Sequence, residues 1–273
     1  MYSLIDKVAI VTGGANGIGA QIVQGFVKER IKYVAILDID EASGVTLENK
    51  LNTEYGSDVA GFFKCNITVD EELFSTYDEI FKKFGAIDIV VNNAGVALEK
   101  MDTYKNEIAI NFTASVSSTL KALELMRVDR GGAGGTIVNV SSIEALALTS
   151  PGVFVYAATK SALLHLSVCM GKEDYYHHTK VRVLAMCFGA TETAMVYKVE
   201  GLDDIINENI HQIVDRLRQH SFLQSASAAA RGVIEAYQTS ASGNVWLVDN
   251  EDVVNITDKI YGAYKILSDG VHI

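Results

Sequence analysis

Val8-Ala9-Ile10-Val11 runs without a break into Thr12-Gly13-Gly14-Ala15-Asn16-Gly17-Ile18-Gly19. Four apolar residues, two of them valine and one isoleucine, predict a strand covered on both faces. The glycines that follow permit a tight turn and a close backbone approach that a Cβ would obstruct. A helix beginning near Ile18 then offers unpaired N–H groups and the positive end of a dipole. Such a strand, turn and helix suit a pyrophosphate. The strict G-x-G-x-x-G spacing is absent, since the glycines stand at Gly13, Gly17 and Gly19. A glycine turn alone is a weak signal; its place between a first strand and a first helix gives it weight.

Outward from this turn the pattern repeats. Apolar runs at 33–37, 61–63, 87–91, 136–140, 181–185 and 245–248 read as further strands, and amphipathic segments fill the gaps at βαβ spacing. The expected fold is α/β: a doubly wound, Rossmann-type parallel sheet of seven strands with helices on both faces. Residues 1–273 form one dinucleotide-binding and catalytic domain. The stretch 193–225 departs from the rhythm, with Ile210, Ile213, Val214 and Leu217 at helical spacing between the sixth and seventh strands. It is either a lid over a ligand at the strand ends or an ordinary packing pair of helices.

Composition narrows the function. The chain has 273 residues, 49% of them hydrophobic, and a formal net charge of −11. That charge repels nucleic acid and anionic lipid, and no basic patch offsets it. No apolar run reaches the ~18 residues of a membrane span. Cys65, Cys169 and Cys187 form an odd set without paired spacing, which reads as reduced, buried thiols in a cytoplasmic protein. His177 and His178 lie near a helix end without ligand spacing, so no metal is implied.

The second strand ends at Asp38, nineteen residues past Gly19. A carboxylate there accepts hydrogen bonds from an adenosine ribose and repels a 2′-phosphate, and Asp40 adds to the repulsion. NAD is favoured over NADP; a solvated turn aspartate is the plain alternative. Gly131-Gly132-Ala133-Gly134-Gly135 precedes a strand and reads as a flexible connection. Tyr156 and Lys160 stand four residues apart, on one helical face. An ammonium beside a phenol lowers the phenol's pKa, which makes Tyr156 a general base for an alcohol or a general acid for a carbonyl. Ser141 and Ser142 end the fifth strand, where a hydroxyl holds a substrate oxygen or caps a loop.

Taken together, these motifs resemble the short-chain dehydrogenase/reductase family. The matching features are the glycine turn, Asn92-Asn93-Ala94-Gly95, the helix residue Asn111, the serine after the fifth strand and Tyr156-x-x-x-Lys160. Phe84-Gly85-Ala86-Ile87-Asp88 and Gly243-Asn244-Val245-Trp246 are similar in style to insect alcohol dehydrogenases and to 15-hydroxyprostaglandin dehydrogenases. The resemblance implies a catalytic set of Asn111, Ser142, Tyr156 and Lys160. Tyr156 would be the acid–base, Ser142 would orient the reacting oxygen, Lys160 would bond the nicotinamide ribose and Asn111 would hold a relay water. It further implies that NAD contacts Gly13, Asn16, Gly17, Ile18, Gly19, Asp38, Asn66, Ile67, Asn93, Gly95, Gly189, Thr191 and Thr193. Ser142 is preferred to Ser141 by position, with a loop lengthened through Thr149-Ser150-Pro151-Gly152.

Two positions depart from the family pattern. Phe188-Gly189 replaces proline–glycine after the sixth strand, and Asn66 replaces an aspartate near the adenine, keeping a carbonyl acceptor. The expected activity is NAD-dependent hydride transfer between the nicotinamide and a lipophilic primary or secondary alcohol, or its aldehyde or ketone. Leu146, Phe154, Met195, Val196, Tyr197 and Phe222 are candidates for an apolar pocket wall. The resemblance implies that the helices within 101–127 and 155–175 pair across subunits of a homodimer or tetramer; their small and apolar side chains equally permit packing inside one subunit. The rivals are an NADP-dependent carbonyl reductase, which Asp38 opposes, and a catalytically silent relative that binds or stores a ligand.

Overall fold

The computed structural model describes residues 1–148 and 152–271. The loop lengthening expected through Thr149, Ser150 and Pro151 lies outside the described residues. The first half alternates β1 (Val8–Thr12), α1 (Gly17–Lys28), β2 (Tyr33–Asp38), α2 (Glu41–Tyr55), β3 (Ala60–Lys64), α3 (Asp70–Phe84) and β4 (Ile89–Asn92). Next come α4 (Tyr104–Ile108), a π-helical turn (Ala109–Thr113), α5 (Ala114–Met126), β5 (Gly135–Ser142), α6 (Phe154–Met170), α7 (Glu173–Thr179) and β6 (Val181–Phe188). The chain then forms α8 (Ala194–Tyr197), α9 (Asp204–Gln219), α10 (Ala226–Thr239), β7 (Val245–Asp249), β8 (Asp252–Asn255) and α11 (Thr257–Leu267).

One sheet runs in the order β3-β2-β1-β4-β5-β6-β7-β8. β1 to β7 pair in parallel, as the apolar runs require. The period-2 alternation of a strand explains why those runs are continuous. On β1, Ala9 and Val11 enter the core beneath α1 and α10, whereas Val8 and Ile10 enter the core beneath α3 and α5. α1 buries Ile22, Val23, Phe26 and Val27 on one face, each worth roughly 1.5–3 kcal/mol of apolar burial. α3 follows the same rule with Leu73, Tyr77 and Ile80, and Gly85 ends it in the left-handed region at φ 79°.

The sheet has eight strands rather than the expected seven. β8 pairs antiparallel with β7 through the hairpin Asp249-Asn250-Glu251-Asp252. Asn250 and Glu251 adopt φ values of 49° and 69°, the backbone of a two-residue mirror-image turn. Glutamate in place of the usual glycine hid this turn in the sequence, and β8 offers only two apolar residues.

Strand order changes direction between β1 and β4. In a doubly wound sheet a crevice opens at that point, outside the carboxyl ends of the strands. The segment 193–225 supplies α8 and α9 above this crevice. The Asp203 carboxylate caps α9 by accepting from the Ile206 N–H at 2.9 Å.

Candidate active site

The end of β1 is fastened to the end of β4. Thr12 Oγ1 accepts the backbone N–H groups of Asn93 at 3.1 Å and Ala94 at 3.2 Å. The Asn93 amide in turn donates to the carbonyls of Thr12 and Gly13. Glycine is required at two places here. Gly13 has φ 62°, and a Cβ on it would stand 2.9 Å from the Ala94 Cα; a Cβ on Gly19 would strike the Gly13 carbonyl. The first turn of α1 therefore sits tight against the loop after β4.

Asn16, the residue before α1, makes no side-chain cap; its amide donates to Asp40 at 2.8 Å instead. The helix start is left open toward the cavity. Asp38 is pre-oriented, since its two carboxylate oxygens accept the Ala15 and Asp40 N–H groups, each at 3.0 Å. Asn66 differs from the expectation that its carbonyl meets an adenine. Its Oδ1 accepts both the N–H and the hydroxyl of Thr68, so its remaining offer to a ligand is the amide nitrogen.

From Asp38 the cavity, about 550 Å³, runs past Gly13, Asn93 and Gly95 to Ser142, Tyr156 and Lys160. Gly17, Ile18, Ile67, Gly189, Thr191 and Thr193 also line it. Gly19 and Asn111 do not. Asn111 lies in the π-helical turn, fully buried, and its amide group exchanges hydrogen bonds with both the N–H and the carbonyl of Val96 at 2.8 Å. It pins the loop that carries Gly95. Gly95 separates Asn111 from Lys160: a Cβ there would lie 3.3 Å from Asn111 Oδ1 and 3.3 Å from Lys160 Nζ.

The apolar wall differs from the one expected. Met195 and Val196 line the cavity, but Leu146, Phe154, Tyr197 and Phe222 are exposed, between 36% and 51%. Their places are taken by Val199, Ile210, Ile213, Val214 and Leu217. Helical spacing alone could not say which face of α9 turns inward. The thiols also divide: Cys65 and Cys187 are buried, whereas Cys169 is exposed beside His165.

The phenol and the ammonium meet differently from the sequence expectation. Lys160 is 3% exposed, its Nζ donates to the Val140 carbonyl at 2.9 Å, and it lies 5.5 Å from the centre of the Tyr156 ring. Burial lowers the Lys160 pKa to about 8. Burial also pushes the Tyr156 pKa up, to about 12, against a lowering by the Ser142 hydroxyl and with further raising by Glu144 and Glu107. Desolvation of the phenolate is the largest influence on that group. Ser142 faces the phenol, whereas the Ser141 hydroxyl is bound to the Lys160 carbonyl at 2.8 Å.

Three buried side chains were not legible as site residues. Glu99 accepts the Val155 and Tyr156 N–H groups at the start of α6. Glu107 is fully buried; burial, then the Glu99 charge, pushes its pKa up to about 7. It shares a helical face with Asn111 four residues on, the one clue the sequence held. Gln224 donates to Thr191 Oγ1 and to the Gly189 and Val248 carbonyls. It holds the loop after β6 where the family pattern has a proline.

This is a doubly wound α/β protein with a crevice at its strand ends and a tyrosine–lysine helix turned into it. A family model described as short chain dehydrogenase matches residues 7–201. The human NAD(+)-specified 15-hydroxyprostaglandin dehydrogenase is 30% identical over 209 residues, 77% of this chain and 75% of that protein. Fat body protein 2 of Drosophila melanogaster is 26% identical over 261 residues, 96% of this chain and 99% of that one. Among solved structures, a 3-ketoacyl-(acyl-carrier-protein) reductase from Brucella melitensis complexed with NADH matches with a TM-score of 0.74 at 22% identity. It covers 91% of this chain and 98% of its own. At that identity the likeness concerns the fold. The chain belongs to the short-chain dehydrogenase family and is an oxidoreductase of that family.

Proposed function

We propose that this oxidoreductase oxidises a lipophilic primary or secondary alcohol, or reduces the matching aldehyde or ketone, with NAD. The observation that carries the reading is one cavity joining Asp38 at one end to Ser142, Tyr156 and Lys160 at the other. The relatives named for NAD(+) and the NADH complex of a fold neighbour support the cofactor. The residues present fit it. The open start of α1 and the close glycine turn suit a pyrophosphate, and the oriented Asp38 carboxylate suits an unphosphorylated ribose.

When bound, the nicotinamide supplies the site that accepts or returns the hydride. Tyr156 Oη takes the alcohol proton during oxidation and gives it back during reduction. Ser142 Oγ holds the substrate oxygen beside that phenol. Lys160 Nζ holds a ribose hydroxyl, and its charge favours the phenolate. Asn111 backs this frame and supports the relay water. The other expected contacts, among them Asn16, Ile67, Asn93 and Thr193, line the cofactor's path. α8 and α9 form a lid whose apolar side chains exclude water and favour a lipophilic substrate.

The exposed Leu120 on α5 and Phe154 on α6 support assembly as a homodimer or tetramer. The free cysteines support a cytoplasmic setting. No helix among the described residues is long and apolar enough to cross a membrane.

The test is NADH production from aliphatic, secondary and terpenoid alcohols at mildly alkaline pH. Turnover of lipophilic members is expected. NADH binding without turnover of any alcohol would replace this reading with the ligand-binding one.

A further inference from the structure

We infer that Glu200, on the lid, is a positioning residue for Tyr156 and acts on it through Glu99. This rests on the reading of Tyr156 as the acid–base of an oxidoreductase, and it adds how the covering segment reaches that residue.

The segment over the crevice leaves the sheet and returns to it at one clasp. Thr191 and Gln224 form a parallel bridge. The Gln224 N–H donates to the Ala190 carbonyl and the Glu192 N–H donates to the Gln224 carbonyl, both at 2.9 Å. The Gln224 side chain, 1% exposed, adds bonds to Thr191 Oγ1 and to the Val248 carbonyl at 3.0 Å. Between these two ends, Ile210 is the one buried residue of α9. A helix so lightly packed keeps its place over the cavity through its tethers.

One tether lies at Glu200. Its carbonyl accepts the Glu99 N–H at 3.0 Å, it bridges in parallel with Leu98, and its carboxylate pairs with Lys100 Nζ at 3.0 Å. The next residue, Gly201, donates its N–H to Asn207 Oδ1 of α9 at 2.6 Å, which joins this contact to the helix. Glu99 thus faces two ways. Its backbone holds the lid, and its buried carboxylate holds the N–H groups of Val155 and Tyr156 at 2.9 Å. The loop around it has little slack. Asn111 pins Val96, and the Leu98 and Lys100 carbonyls both accept the Thr103 hydroxyl. A shift of the lid at residue 200 therefore reaches the start of α6 through a single residue. A lipophilic substrate packed against Met195, Val199 and Leu217 would steady that contact, and with it the phenol.

The experiment is hydrogen exchange of the NADH-loaded protein carrying Glu200→Lys, which leaves Glu99, Lys100 and α6 unchanged. The Lys100–Glu200 pair is 44% and 45% exposed, so it contributes little alone, but reversing one charge replaces attraction with repulsion. Exchange at the Glu99, Val155 and Tyr156 amides should each quicken about fivefold or more, with the Gln224 amide within about twofold of wild type. Adding Lys100→Glu rebuilds the pair in reverse and should return all three amides to within about twofold of wild type. A quickened Glu99 amide beside unchanged Val155 and Tyr156 amides overturns the inference. So does an unchanged Glu99 amide, or equal quickening at Gln224, which would mean that the whole segment unfolds. In steady state, Glu200→Lys should lower kcat for a lipophilic alcohol about fivefold, with NADH affinity changed by less than about twofold, and Lys100→Glu should restore it. An unchanged kcat beside responsive exchange would overturn the positioning role. Responsive exchange in a protein that turns over no alcohol would overturn the oxidoreductase reading and leave the coupling of lid to α6 standing.

Discussion

The Glu99 carboxylate holds the backbone N–H of Tyr156 at 2.9 Å and reaches it across 57 positions of chain. Its other oxygen holds Val155 at the same distance. The residue before α6 is Val153, which has no side-chain acceptor to cap the helix. Glu99 does so from the loop after β4, with a negative charge at the positive end of the dipole.

Removing this cap should loosen the helix that carries Tyr156 and Lys160. Glu99→Ala is expected to cost about 1–3 kcal/mol of stability, the range for two buried donors left unpaired. Turnover should fall by more than NADH affinity does. Hydrogen exchange at the Val155 and Tyr156 amides checks the cause: protection should drop there and not across the β5–β6 core.

Tyr156→Phe keeps the ring and deletes the proton. Turnover is expected to fall by at least about 100-fold, the lower range for lost acid–base catalysis. NADH affinity should change little, which a fluorescence titration will show. Normal turnover by this variant would remove Tyr156 from the chemistry.

Asp38→Ala removes a carboxylate that two backbone amides aim at the cavity. The preference for NAD over NADP should shrink by about tenfold or more, read as the ratio of kcat/KM with the two cofactors. No change in that ratio would move the ribose contact elsewhere.

Glu107 links pH to stability. Its folded pKa of about 7 lies above the ordinary 4.5 because burial and the Glu99 charge disfavour the carboxylate. A raised carboxyl pKa means the native state holds the proton more tightly than the unfolded chain does. The stabilisation is complete below about 4.5 and is lost as pH rises through about 7. Glu107→Gln should remove that slope and make the protein roughly 2–3 kcal/mol more stable than wild type at pH 8. Urea unfolding from pH 5 to pH 8 measures it. Parallel slopes in the two proteins would show that Glu107 does not titrate in that window.

Much of this site was legible because its motifs are local. A strand running into glycines, an aspartate ending the second strand and a tyrosine four residues before a lysine are all short-range patterns. Each fixes a backbone conformation or a shared helix face within a few residues. Glu99 and Gln224 were not legible for the opposite reason. Their partners stand at Tyr156 and Val248, reached only after the sheet is assembled.

The sequence by itself determined the parallel α/β sheet and the place of its crevice, and it proposed the set of Asp38, Ser142, Tyr156 and Lys160 that lines the cavity. Hydrophobic period and turn chemistry are enforced wherever the chain forms a strand or a helix. The tertiary structure alone decided which face of α9 lines the cavity, that an eighth strand closes the edge, and that burial raises the Tyr156 pKa. Those outcomes depend on which groups lose water together, and desolvation belongs to the packed assembly, not to any stretch of chain.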